Sequence, residues 1–262
     1  MEYLSSAMNR LTKPQKDKIT QFRSITGSSE KVATECLKSS GWGVEQAIDM
    51  FYTSGLAAQA TTTGGLDLRG VESMYQRYKE PGDDKISVDG ITRFCEDLEV
   101  DPTDIVVLVV SYYMNAAVMC EYSKDEFTSG MVRLGCDAID KLKRRLPELR
   151  AELKQDAKFR EVYAYAYNFS REKGQKCVQL DTAVGMWQLL FSVPEQRWPL
   201  IDDWCEFLTK HHNRAISKDT WQQLYDFIKS VKPDFSNFDE NSAWPYLLDE
   251  FVEHMKAKRE GR

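Results

Sequence analysis

The sequence lacks the residue patterns from which most enzymatic chemistry starts. Histidine occurs three times, as His211, His212 and His254. Adjacent helical positions face different ways, so the first two cannot share a metal, and all three read as helix C-terminal charge or solvated surface. There is no Gly-rich phosphate loop, no G-x-S-x-G and no H-E-x-x-H. Cysteine is limited to Cys36, Cys95, Cys120, Cys136, Cys177 and Cys205, with no C-x-x-C and no regular spacing. That pattern points to a reducing compartment. Most of the six lie on apolar helical stripes and read as core, without the neighbouring base that a thiolate nucleophile needs. No apolar run approaches the ~20 residues of a membrane span, and Met1-Glu2 is not the Met-Gly start of a myristoylated chain. These absences lead to the expectation of a cytoplasmic and nuclear binding protein with no cofactor, no metal and no membrane. A net charge of −6 argues against a general nucleic-acid surface and favours basic partners.

What is present is helical periodicity. At 262 residues, 42% apolar and 29% charged, the chain suffices for one large domain or two smaller ones. From Met8 to Tyr52 three short helices are expected. Their apolar positions are Ile19 and Phe22, then Val32, Ala33, Cys36 and Leu37, then Val44, Ala47, Ile48 and Phe51. Gly27-Ser28 and Ser40-Gly41-Trp42 supply the turns. Seven basic and five acidic residues leave this block at +2, so the remainder carries −8. Between them "TSGLAAQATTTGG", residues 53–65, lacks charge and bulk and reads as a flexible linker. The expected organisation is a first domain at 8–52, a linker at 53–65 and a second domain at 66–257.

In the second domain one motif returns four times, a loop, a single apolar residue and a helix start: "DDKISVDG", "MCEYSKDEF", "QKCVQLDTA" and "NRAISKDTW". The apolar residues are Ile86, Tyr122, Val178 and Ile216, separated by 36, 56 and 38. Two pairs at about one helix-loop-helix each is the spacing of paired EF-hands. Ser87, Ser123 and Ser217 stand where they cap the exiting helices, with Glu126 completing a capping box. Calcium is not expected. Loop position one holds Lys79, Asn115, Arg171 and Thr209, none of them the carboxylate that should anchor a hard cation, and position twelve holds Gly90, Glu126, Thr182 and Thr220. "DPTDIVVLVVSYYMN", from Asp101, reads as a helix with Asp101 as cap and Pro102 at the first position. A helix apolar on nearly every face is buried or lines a groove.

The segments "ITGSSEKVATECLKSSGWGVEQAIDMFY", "MYQRYKEPGDDKISVDGITRFCEDLEVDP", "HHNRAISKDTW" and "SAWPYLLDEFVE", in this order, closely resemble the defective-in-cullin-neddylation proteins. The resemblance spans almost the whole chain. It departs at the start, where "MEYLSSA" precedes an "MNRL" that sets Met8 as an alternative initiator. It implies an all-α fold, a ubiquitin-associated (UBA)-like three-helix domain followed by a larger potentiating-neddylation domain of degenerate EF-hand-like repeats. It also implies a non-catalytic co-ligase that holds the charged conjugating enzyme against a cullin and its RING-box partner.

By resemblance, Val88, Ile91, Val107, Val110, Ser111, Met114, Ala116, Met119, Cys120, Tyr122, Phe169 and Leu189 line a closed apolar pocket for the acetylated N-terminal Met of that enzyme. Asp219, Ala243 and Asp249 form the surface for the cullin C-terminal domain. Ile25, Thr26, Gly27, Met50 and Phe51 form a weak ubiquitin patch. Read singly, Asp219 is also an ordinary helix N-terminal acid, Ala243 a filler and Asp249 a solvated helix face. Two other classes stay open on the residues alone, a ubiquitin receptor without neddylation activity and an EF-hand calcium sensor.

Overall fold

The computed structural model describes residues 11–26, 28, 30–53, 62–63 and 66–261. The expectations for Met8, for Gly27 and for most of the 53–65 linker fall outside these residues. The chain divides into two compact units, Met1–Ser73 and Met74–Arg262, and the division falls inside a helix rather than in the 53–65 stretch.

In the first unit, helices α1 (Lys13–Thr26), α2 (Glu30–Ser39) and α3 (Val44–Thr53) follow the apolar spacing of the sequence. Ile19, Phe22, Ala33, Cys36, Leu37, Ala47 and Phe51 form one buried cluster. Phe22 and Phe51 meet edge to face at 5.7 Å. The α2–α3 turn places Gly41 and Trp42 at positive φ, and the Trp42 carbonyl accepts a hydrogen bond from Lys18 Nζ at 2.8 Å. Beyond it, β1 (Thr62–Thr63) pairs antiparallel with β2 (Leu66–Asp67), which leads into α4 (Leu68–Tyr78).

The second unit is built on the four repeats. Strand β3 (Lys85–Ile86) pairs with β4 (Tyr122–Ser123), placing Ile86 opposite Tyr122, and Val178 bridges Ile216. The 36- and 38-residue separations therefore mark two EF-hand-like pairs. The first is α4, α5 (Val88–Leu98), α6 (Ile105–Met114) and α7 (Lys124–Leu134). The second is α9 (Asp156–Phe169), α10 (Leu180–Leu190), α11 (Ile201–Phe207) and α12 (Lys218–Ser230); α8 (Ile139–Glu152) connects the pairs and α13 (Tyr246–Arg259) closes the chain. Tyr78, Phe94 and Phe127 interlock in the first half. In the second, Trp187 stacks on Trp221 at 4.7 Å and donates its indole N–H to the Tyr163 hydroxyl. Burial of such large aromatics dominates the energetics of a core.

The loops are closed by the protein's own groups. Lys79 Nζ lies 3.2 Å from the Asp83 carbonyl oxygen, so a side-chain cation engages an oxygen of its own loop. The Glu126 carboxylate, at loop position twelve, accepts from the amides of Ala117 and Ser123.

Ser123 and Ser217 cap α7 and α12 as expected. Ser87 does not cap with its side chain, because its hydroxyl donates to Glu80 Oε1 at 2.7 Å. Helix α6 starts three residues later than the sequence suggested: Asp104, not Asp101, is the cap, accepting from the Val106 amide at 2.8 Å. Asp101 instead accepts from the Thr103 amide and hydroxyl in its own turn, which keeps Pro102 ahead of the helix. Pro245 sits at the N-cap of α13.

Candidate functional site

Four helices each turn one face toward a cleft of about 550 Å³. Val88, Ile91 and Thr92 come from α5, and Asp104, Val107, Leu108 and Ser111 from the start of α6. Both sets are spaced i, i+3, i+4, the neighbouring positions on a helix surface. Asp181, Thr182, Gly185, Met186 and Leu189 come from α10, and Phe169 from the end of α9. The loop before β4 contributes Met119 and Cys120, β4 contributes Tyr122, and the turn before α6 contributes Pro102 and Thr103. That β4 loop is held by Met119 N–H donating to the Phe169 carbonyl at 3.1 Å and by Tyr165 donating to the Ala116 carbonyl at 2.9 Å. Cys120 adopts positive φ, a region that side chains with a Cβ seldom occupy.

Nine of the twelve expected pocket residues meet here: Val88, Ile91, Val107, Ser111, Met119, Cys120, Tyr122, Phe169 and Leu189. Val110, Met114 and Ala116 do not. They are 1%, 1% and 2% exposed and lie behind the wall. Met114 packs on α7 at Gly130, where a Cβ would stand 2.4 Å from Met114 Cγ. Val88 is 57% exposed and Met119 37%, so the site is a cleft with an accessible rim rather than the closed pocket expected.

The buried part of the lining is electrically neutral. Ser111 donates its hydroxyl to the Val107 carbonyl and sits 2.7 Å from the Tyr122 hydroxyl, which is left as the donor between them. Burial raises the Tyr122 phenol well above its ordinary pKa, against the lowering effect of Ser111, so it stays protonated. The two carboxylates of the lining sit elsewhere. Asp104 is paired with Arg150 at 2.6 Å, and Asp181 is exposed. A lining of this kind accepts an uncharged group and penalises an unpaired ammonium.

Asp219, Ala243 and Asp249 occupy three successive pieces of the C-terminal region. Asp219 is exposed in the first turn of α12. Ala243 is exposed ahead of Trp244, whose ring stands edge to face on Phe227 of α12 at 5.4 Å. Asp249 lies in the first turn of α13 and is half-buried. Its Oδ1 is buried and, among the described residues, meets no hydrogen-bond donor. Burial, followed by the charges of Glu253 and Glu240, raises its carboxyl pKa.

The expected ubiquitin patch is only partly on the surface. Ile25 is 53% exposed, whereas Thr26 and Met50 are half-buried and Gly27 is not described. Phe51 has to be withdrawn: it is 3% exposed and belongs to the three-helix core.

Four of the described thiols are buried. Burial raises the thiols of Cys36 and Cys136, and pushes Cys95 up to about 11 and Cys205 up to about 12, away from the thiolate form. His211 is exposed, with its ring stacked on Phe207 and 4.8 Å from that of half-buried His254.

The sequence reading missed Thr92, Pro102, Thr103, Asp104 and Leu108, and on α10 Asp181, Thr182, Gly185 and Met186. A signal was available on α10. Positions 182, 185, 186 and 189 share one helical face, and Leu189 was already assigned to the pocket.

A family model described as "Cullin binding" matches residues 141–254, and one described as "UBA-like domain" matches residues 16–57. The first contains Asp219, Ala243 and Asp249. Among similar proteins, "Defective in cullin neddylation protein 1" of Caenorhabditis elegans is 32% identical over 275 residues, covering 95% of this chain and 92% of its own. "DCN1-like protein 3" of Rattus norvegicus is 35% identical over 220 residues, covering 82% of this chain and 72% of its own. Its Homo sapiens counterpart is 38% identical over 200 residues, covering 74% of this chain and 65% of its own.

Proposed function

The chain belongs to the defective-in-cullin-neddylation family, and on that premise we propose that it promotes cullin neddylation as a non-catalytic co-ligase in the cytoplasm and nucleus. It holds two partners at once. The apolar cleft receives the acetylated N-terminal Met of the neddylation-conjugating enzyme. Asp219, Ala243 and Asp249 form one surface for the C-terminal domain of a cullin bound to its RING-box protein. The first unit contributes a weak site for ubiquitin through Ile25.

The observation that carries this reading is the cleft itself. A neutral, hydroxyl-satisfied lining within an apolar wall suits a residue whose terminal charge has been removed by acetylation. The charged conjugating enzyme already carries the reactive thioester, so a partner that fixes thioester and lysine in one geometry accelerates transfer without a nucleophile of its own. On the cullin side the small Ala243 permits close approach. Exposed Asp219 and half-buried Asp249, with Glu240 and Glu253 near the latter, give this region an acidic character suited to a basic partner.

The test is a reconstituted cullin modification assay with purified components. The wild-type chain is expected to speed transfer, and the triple variant Asp219→Ala, Ala243→Arg, Asp249→Ala to lose the stimulation while keeping its melting temperature and its acetylated-peptide affinity. A triple variant that stimulates like wild type sinks the cullin assignment. For the first unit, Ile25→Ala should remove ubiquitin-induced chemical shift changes; a wild-type titration flat to millimolar ubiquitin sinks that site.

A further inference from the structure

Tyr246, the first residue of α13, is 69% exposed, the highest value for a large hydrophobic side chain among the described residues. Its setting differs from that of other aromatic rings near the surface of this unit. Lys158 Nζ stands 5.1 Å from the ring centroid of Tyr112 and 5.7 Å from that of Tyr113. Arg160 and Lys229 lie over Tyr225, Arg259 covers Phe235 at 5.0 Å and Lys256 covers Phe238 at 5.7 Å. The quadrupole of each ring attracts the cation above it. The Tyr246 ring has no such cover: among the described residues no cation stands over it and no second ring packs on it.

The surroundings of this open ring are mainly acidic. Tyr246, Asp249 and Glu250 are spaced i, i+3, i+4 on α13 and so share one helix face. The phenol lies beside the Glu250 carboxylate and within the field of Arg214, and Glu253 and Glu240 act on Asp249. Ala243, small and exposed, stands three residues ahead. All these residues fall within 141–254, the stretch matched by the cullin-binding family model. An incoming ammonium or guanidinium would meet a free aromatic face and opposite charge at the same place.

We propose that Tyr246 is a recognition residue of the cullin surface, its ring receiving a lysine or arginine side chain of the cullin C-terminal domain beside the carboxylates of Asp249 and Glu250. The inference rests on Asp219, Ala243 and Asp249 forming that surface, and adds an aromatic anchor to it. Tyrosine suits the task, because a rigid ring with two side-chain torsions gives up little entropy when a partner covers it.

The experiment measures the affinity of the full chain for a cullin C-terminal domain bound to its RING-box protein. Tyr246→Phe keeps the ring and should bind within ~2-fold of wild type, whereas Tyr246→Leu, which keeps apolar bulk without a π face, should bind ~5–30-fold more weakly. Tyr246→Ala should lose at least as much. All three variants should keep the wild-type melting temperature and acetylated-peptide affinity, as expected for an exposed side chain away from the cleft. Wild-type affinity in Tyr246→Leu overturns the proposal, and so does an equal loss in Tyr246→Phe and Tyr246→Leu, which would assign the effect to the hydroxyl. If the triple variant Asp219→Ala, Ala243→Arg, Asp249→Ala binds as tightly as wild type, the cullin surface itself fails, and the role of Tyr246 with it.

Discussion

The apolar cleft and the Asp219–Ala243–Asp249 region lie on the same helical unit yet are built for different kinds of contact. The cleft is concave, and its buried residues, among them Ile91, Leu108, Ser111, Tyr122, Phe169 and Met186, carry no ionised group. The C-terminal region presents an exposed carboxylate on α12, a half-buried one on α13 and a small residue between them in sequence. Binding in the first draws on burial of apolar surface and is nearly blind to ionic strength. Binding at the second draws on charge, which sets association rate and specificity and weakens as salt rises. On the proposed function, one molecule reads a chemical modification with shape and a basic surface with charge.

The largest contrast is expected in the cleft. Replacing the acetylated conjugating-enzyme peptide by its free-amine form should weaken binding by at least ~100-fold, about 2.7 kcal/mol, because an unpaired charge has to be desolvated. Calorimetry with both peptides checks this, and equal affinities would erase the distinction between the two regions. Next in size, the triple variant Asp219→Ala, Ala243→Arg, Asp249→Ala should cost ~1–3 kcal/mol of cullin affinity. Wild-type cullin affinity should also fall as salt rises, while peptide affinity stays level; parallel salt curves would contradict the division.

The smallest effect concerns Asp249 alone. Its carboxyl pKa is raised on folding by burial and by Glu253 and Glu240. Its contribution to stability is thus present below the unfolded value and lost as pH rises past the folded one. Asp249→Asn should raise the melting temperature at neutral pH by up to about 2 °C while weakening cullin binding. Wild-type cullin affinity should drop on acidification through the raised pKa of Asp249. A variant no more stable than wild type at neutral pH would place Asp249 in solvent.

The repeat architecture was legible because a single apolar residue per loop carries it. Ile86 pairs with Tyr122 and Val178 with Ile216, at the spacings read from the sequence. The all-α character and the apolar faces of the three N-terminal helices were legible for the same reason, since burial imposes the period. Caps were less so. Ser87 and Asp101 are good capping types, but each found a nearer partner, Glu80 and Thr103. Burial depth was harder still. Nothing in the order of Val107, Val110, Ser111 and Met114 says which face of an all-apolar helix looks into the cleft and which meets Gly130. Phe51 shows the same limit, where only the assembled three-helix core tells an inward aromatic from a surface one.

The central claim is that the chain speeds transfer by holding an acetylated conjugating enzyme against the cullin. Single-turnover transfer of the modifier from pre-charged conjugating enzyme to the cullin–RING-box complex, with and without this protein, tests it most directly when run with acetylated and unacetylated enzyme in parallel. The account predicts a marked acceleration with the acetylated enzyme that largely disappears with the unacetylated one. Equal acceleration of both, or of neither, would contradict it.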